Sequence, residues 1–213
     1  MKIALLGATG NVGSRLLDEL LSRGHWVTAI VRHPDKVLAK PHLTAVIGDE
    51  DDPDKLASTL RGHDAVIRAV RFLNHDPENI LQAIKTAGVA RFICVGGAAG
   101  LTMPGTKTKL LDSGTIPEQF LPEPTAGVAF LERLRQETEL AWTFLAPSAM
   151  AFSNDPVFGS GKPERTGTFR LGEDELLVTE KGVSTISYED YAIALVDELE
   201  QPKYIRRRFT VGY

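Results

Sequence analysis

The clearest chemistry in this chain lies in three glycines at fixed spacing, Gly7-Ala8-Thr9-Gly10-Asn11-Val12-Gly13. They follow a short apolar run, Ile3 to Leu6. They precede Val12, Leu16, Leu17, Leu20 and Leu21, which recur at helical spacing as far as Gly24. Strand, glycine loop and helix in that order form the context in which such a triplet binds a dinucleotide. Gly7 permits a tight turn, Gly10 lets the backbone approach a pyrophosphate, and Gly13 lets helix and strand pack closely. The helix N-terminus, reached through Thr9, Asn11 and Val12, offers unpaired N–H groups and a partial positive charge to phosphates. No Gly-Lys-Ser/Thr follows, so the loop is not an ATP-binding P-loop.

A second group of residues should meet this loop. An acidic side chain after the second strand would bind the ribose hydroxyls of NAD. The sequence has Val31-Arg32-His33 instead. A guanidinium there suits a 2′-phosphate through charge-assisted hydrogen bonds, so NADP(H) is expected over NAD(H). The other reading of Arg32 is an exposed strand-end charge. Asp49 follows the third strand and could accept from an adenine amino group, or it could belong to a plain turn before Asp52. Ala69-Val70 end the fourth strand with small side chains against which a cofactor could lie. Gly96-Gly97 end the fifth.

Elements must hold these residues together. Strands are expected at 3–6, 26–31, 43–47, 65–70 and 91–95. Helices alternate with them, opened by Asp52-Pro53 and Asp76-Pro77, a cap followed by proline at the first helical position. The strands are nearly continuous apolar runs, as parallel strands buried on both faces should be. The fold class expected is α/β: a Rossmann-type doubly wound parallel sheet flanked by helices, with a small irregular C-terminal substrate lobe. Residues 98–124 read as a substrate-side loop. A helix over 126–137, a strand over 143–145 and a hairpin joining 168–171 to 176–179 follow. Ser187-Tyr188-Glu189-Asp190 forms a capping box that opens a helix through Leu199. Phe209 to Val211 is the last strand. The whole, 1–213, is expected to be one domain, with 1–97 as the cofactor half and 98–213 as the substrate-side half.

Composition excludes several classes. Apolar residues make up 43% and charged residues 24% of 213, ordinary globular values. Acidic residues outnumber basic ones 28 to 24, so no strong positive field holds nucleic acid. Arg206-Arg207-Arg208 reads as an edge-strand charge cluster that discourages aggregation. The single cysteine, Cys94, sits in a strand pattern as a buried small side chain. The five histidines form no metal-ligand spacing, and most are expected to be solvated. No metal site is expected. No uncharged apolar run is long enough to span a membrane, so no membrane partner and a cytoplasmic location are expected.

These residues together resemble the atypical short-chain dehydrogenase/reductases. The nearest group is the NAD(P)H-flavin reductases, with NmrA-like and biliverdin-IX beta reductase-like proteins as wider relatives. The resemblance rests on the glycine loop, Val31-Arg32, Gly48-Asp49, Val95-Gly96-Gly97-Ala98, Trp142-Thr143-Phe144-Leu145-Ala146-Pro147 and Ser187-Tyr188-Glu189-Asp190-Tyr191-Ala192. It implies NAD(P)H across the carboxyl ends of the strands and Pro147 near the nicotinamide. The superfamily's Tyr-x-x-x-Lys pair is missing. Phe120-Leu121-Pro122-Glu123-Pro124 stand where it would fall, and Gly96-Gly97-Ala98-Ala99-Gly100 carry no hydroxyl. Carbonyl–alcohol chemistry by that pair is therefore not expected. Hydride transfer to a flavin or quinone-like acceptor needs only two flat rings held together. Phe120, Phe152 and Phe158 are candidates to line such a site, with ordinary packing as the other reading. The rival functions are a non-catalytic NADP(H)-binding redox sensor acting through a protein partner and an epimerase acting on a nucleotide sugar.

Overall fold

A computed structural model describes residues 1–148, 152–155, 160–161 and 164–213. Apolar residues alternate in the first strand, β1 (Lys2–Leu6), so that Ile3 and Leu5 face one layer while Ala4 and Leu6 face the other. Every central strand repeats this two-sided burial, and the sheet accordingly carries helices on both faces. Four more strands and three helices complete the cofactor half: α1 (Asn11–Ser22), β2 (Trp26–Val31), β3 (Leu43–Ile47), α2 (Pro53–Leu60), β4 (Ala65–Arg68), α3 (Pro77–Ala87) and β5 (Arg91–Val95). The second half adds α4 (Pro122–Arg135), β6 (Ala141–Pro147), β7 (Arg170–Gly172), α5 (Tyr188–Glu200) and β8 (Arg207–Gly212). One eight-stranded sheet takes strands from both halves, in the order β3-β2-β1-β4-β5-β6-β8-β7. All neighbours are parallel except β7 with β8.

Helices α1 and α5 pack together on one face, burying Leu16, Leu20, Tyr191, Leu195 and Leu199. Helices α2, α3 and α4 cover the other with Leu56, Leu60, Ile80, Ile84, Phe130 and Leu134. Strand order runs outward from β1 in both directions, which makes the crevice between β1 and β4 a topological switch point, where α/β sheets bind ligands.

The caps act as the sequence requires. Asp52 accepts from the Lys55 N–H, Asp76 from the Glu78 N–H, and Ser187 from the Asp190 N–H. Several expectations need correction. β4 ends at Arg68, so Ala69 and Val70 follow the strand. Segment 168–171 does not pair with 176–179. Strand β7 pairs antiparallel with β8, Arg170 opposite Gly212, while the Leu176 N–H donates to the Thr102 carbonyl and the Leu177 N–H to Ser148 Oγ. With β7 outside it, β8 is not an edge, and Arg208 donates to Asp174 and to the Gly100 carbonyl. Helix α4 begins at Pro122, four residues before the expected start, because prolines are tolerated in a first turn that has no N–H partner to lose. Among the histidines, His25 is buried between Glu200 and the N-terminal amine, and His63 contacts Thr28 and the Leu60 carbonyl.

Candidate active site

The loop between β1 and α1 is shaped by close backbone approach. Gly7 has φ +79°, and a Cβ on it would lie 2.3 Å from the Ala69 carbonyl oxygen. A Cβ on Gly13 would lie 2.0 Å from the Gly7 oxygen. Only hydrogen fits at either place. Gly10 differs: its Cβ would meet nothing nearer than the Gly7 oxygen at 3.4 Å. Gly10 is the N-cap of α1, with no side chain capping the helix and no acidic residue in its first turn. Thr9, Gly10 and Asn11 are exposed, Val12 half-buried. This uncapped, exposed helix N-terminus is a cradle fit for a diphosphate.

The other expected residues reach the same end of the sheet. Arg32 follows β2 directly and is exposed, one strand from the glycine loop. Asp49 follows β3, is exposed, and accepts from the Asp51 N–H at 3.0 Å, which leaves its second oxygen open. Ala69 and Val70 follow β4 against Gly7. Gly96 follows β5, where a Cβ would strike the Phe144 ring at 2.2 Å. Pro147 closes β6. All therefore lie at the carboxyl ends of β1 to β6.

Beside them opens a cavity of about 680 Å³, within the range of ligand sites. Gly96, Gly97, Phe144 and Pro147 form its sheet side, Ala98 to Gly100, Leu110 and Ile116 one wall, and Phe120, Pro124, Gly127 and Val128 the helix side. Phe152 closes one end and stacks on Tyr188, ring centroids 4.1 Å apart. Residues 98–124 do flank the cavity, built as short 3₁₀ turns before α4. Phe120 and Phe152 both line it, while Phe158 lies outside the described residues.

No Ser, Thr, Tyr, His or Lys is found among the described residues lining the cavity. Its charged residues are Arg71 and Glu123. Both Glu123 oxygens accept backbone N–H groups, from Phe72 at 2.8 Å and Leu73 at 2.9 Å, which ties α4 to the β4–α3 loop. Neighbouring tyrosines are not poised for proton transfer. Burial, then the Asp155 carboxylate that accepts its hydroxyl, push Tyr188 up to about 12. Tyr191 is wholly buried, donates to the Leu145 carbonyl, and burial holds it well above the usual tyrosine value. Burial likewise pushes the Cys94 thiol up to about 12.

The sequence reading missed a supporting pair beneath the site. Arg68 and Glu50 are both buried. Glu50 Oε2 accepts from Arg68 Nη2 at 2.9 Å, and Glu50 Oε1 lies 2.7 Å from Arg68 Nε, off the hydrogen-bond axis. The Arg68 guanidinium also donates to the Val70 and Arg71 carbonyls, both at 2.7 Å, and stacks against Phe72 and Phe130. It fixes the loop after β4 from below and joins it to the turn after β3. The weak signal was an arginine ending the apolar run Ala65-Val66-Ile67.

A family model described as NAD(P)H-binding matches residues 7–202. An uncharacterised Bacillus subtilis protein, YwnB, is 38% identical over 99% of this chain and 98% of its own length. A Bacteroides thetaiotaomicron protein provisionally named an epimerase is 42% identical, covering 100% of this chain and 96% of that one, with a TM-score of 0.88. A Streptococcus pneumoniae protein provisionally named an NADH-flavin reductase is 36% identical over 100% and 99%, with a TM-score of 0.80. Two chemistries thus stand among proteins alike over their full length, and the side chains must decide between them. The chain belongs to the NAD(P)H-binding family, whose model spans residues 7–202.

Proposed function

We propose that this protein is an NADPH-dependent reductase of a flavin or similar flat acceptor. One observation carries the reading: a cavity of about 680 Å³ beside Gly96, Gly97 and Pro147, walled by apolar and aromatic groups and without a proton-transfer pair among its described lining residues. When bound, the reduced nicotinamide supplies a hydride at its C4. The chain's part is to bind, orient and exclude water. The Gly7–Gly13 loop would hold the diphosphate by backbone N–H groups, Arg32 would pair with the 2′-phosphate, and Asp49 would accept from the adenine amino group. Ala69, Val70, Gly96 and Pro147 would give the cofactor a low floor. Phe144, Phe152 and Phe120 surround the acceptor ring. A flavin takes the hydride at N5 and its proton from water, so the missing Tyr-Lys pair costs nothing.

An epimerase acting on a nucleotide sugar would need polar side chains for the sugar hydroxyls and a group to move a proton. Among the described lining residues only Arg71 and Glu123 carry polar side chains, and Glu123 already spends both oxygens on backbone N–H groups. We further read 1–213 as one domain acting in the cytoplasm, its second half shaping the acceptor side. The test is steady-state consumption of NADPH with FMN, FAD or a quinone in excess. Turnover well above the rate without protein supports the reading. No loss of the nicotinamide absorbance with any of them overturns it and leaves the sensor role.

A further inference from the structure

We propose that Arg71 is a specificity-determining residue that reads a phosphate on the acceptor, so that FMN is preferred over riboflavin. The inference rests on the flavin reading above and names its substrate more closely.

Arg71 is the one cation lining the cavity among the described residues. The other charged lining residue, Glu123, spends both oxygens on the Phe72 and Leu73 N–H groups. The Arg71 side chain is exposed, and its guanidinium has no hydrogen-bond or ion-pair partner among the described residues. Its backbone is nonetheless held on both sides. On one side the Val70 carbonyl accepts from buried Arg68 Nη1 at 2.7 Å; on the other the Arg71 carbonyl accepts from Arg68 Nη2 at 2.7 Å and the Phe72 N–H donates to Glu123. Arg68 is in turn held by buried Glu50. An unpaired guanidinium is therefore presented on a fixed backbone at the side of a cavity whose other described charged residue, Glu123, is already engaged by backbone N–H groups. A neutral flat ring would fill the apolar walls and leave that charge unused. A ring bearing a phosphate would use both, since a guanidinium donates two parallel hydrogen bonds to phosphate oxygens.

FMN and riboflavin share the same isoalloxazine ring and differ in the phosphate, so the pair isolates the interaction. With NADPH saturating, kcat/KM is measured for each flavin with the native protein, Arg71→Gln and Arg71→Lys. Gln removes the charge from an exposed position, and Lys keeps it without the fork. A charge-assisted contact at a partly wet site predicts a fall of about tenfold for FMN in Arg71→Gln. Riboflavin should be unchanged and KM for NADPH unmoved, with part of the FMN loss recovered in Arg71→Lys. Equal effects on the two flavins, no effect on either, or a matching rise in KM for NADPH would overturn the inference while leaving the reductase reading intact. If neither flavin is reduced, quenching of flavin fluorescence decides. Binding of FMN above riboflavin that vanishes in Arg71→Gln keeps the inference and removes the reductase reading. Binding of neither removes both.

Discussion

The same substitution at two glycines of one loop, Gly13→Ala and Gly10→Ala, should separate folding from binding. At Gly13 the new methyl would lie 2.0 Å from the Gly7 oxygen and 2.8 Å from the Gly7 carbonyl carbon, both backbone atoms. Ordinary contact begins at 3.4 Å, so β1 and α1 must part by roughly 1.4 Å. Overpacking of this size costs about 1–3 kcal/mol, and the better helix propensity of alanine returns at most about 1. For a chain of this length, about 2 kcal/mol lowers Tm by roughly 4–8 °C. At Gly10 the methyl would meet only the Gly7 oxygen at 3.4 Å, and φ −75°, ψ 171° suits any residue. Losing a glycine N-cap costs no more than about 1 kcal/mol. The Gly10 methyl would instead occupy the surface that a diphosphate approaches, and NADPH affinity should fall at least about tenfold. Thermal unfolding and titration calorimetry on both variants make the assay. Gly10→Ala binding NADPH as the native protein does would refute the placement of the diphosphate. Gly13→Ala with an unchanged Tm would refute the packing argument.

Three further outcomes are expected. Arg32→Ala should weaken NADPH far more than NADH in calorimetric titrations, and equal losses would remove the 2′-phosphate assignment. Glu50→Ala should cost about 3–5 kcal/mol in urea unfolding, because Arg68 keeps a buried charge without its partner. A loss under about 1 kcal/mol would show that water reaches the guanidinium. Stability should also fall in acid. Burial alone would raise the Asp190 carboxyl, but bonds from Thr166, Tyr213 and Gly167 hold it below the usual aspartate value. Its contribution is therefore complete above the unfolded value and lost as pH drops through the lower folded one. Asp190→Asn should flatten the stability curve below about pH 4, read by unfolding at a series of pH values; an unchanged slope would place the acid sensitivity elsewhere.

The cofactor half was legible because its signals are local. Glycine spacing, proline at the first helical position and two-sided apolar strands each depend on near neighbours, and β1 to β3 and β5 fall where those signals put them. The acceptor side was less legible because its geometry is made at long range. Strand β7 finds β8 across some forty residues, a choice that the turn-forming Gly172-Glu173-Asp174-Glu175 does not encode. Pro122 and Pro124 read as loop, although both belong to the first turn of α4. Glu50 stands in the acidic stretch Asp49-Glu50-Asp51-Asp52, and only the fold brings it to Arg68. Phe120 and Phe152 could be named by type, but Ile116, Val128 and Leu131 gave no sign that they line one cavity.

Rapid anaerobic mixing of the NADPH-loaded protein with FMN tests the central claim most directly. Direct hydride transfer predicts that the flavin band bleaches and the nicotinamide band falls together, at one rate and in equal amounts, and that deuterium at the transferred C4 position slows both. A flavin band that stays intact, or a nicotinamide loss that does not match it, would contradict the account.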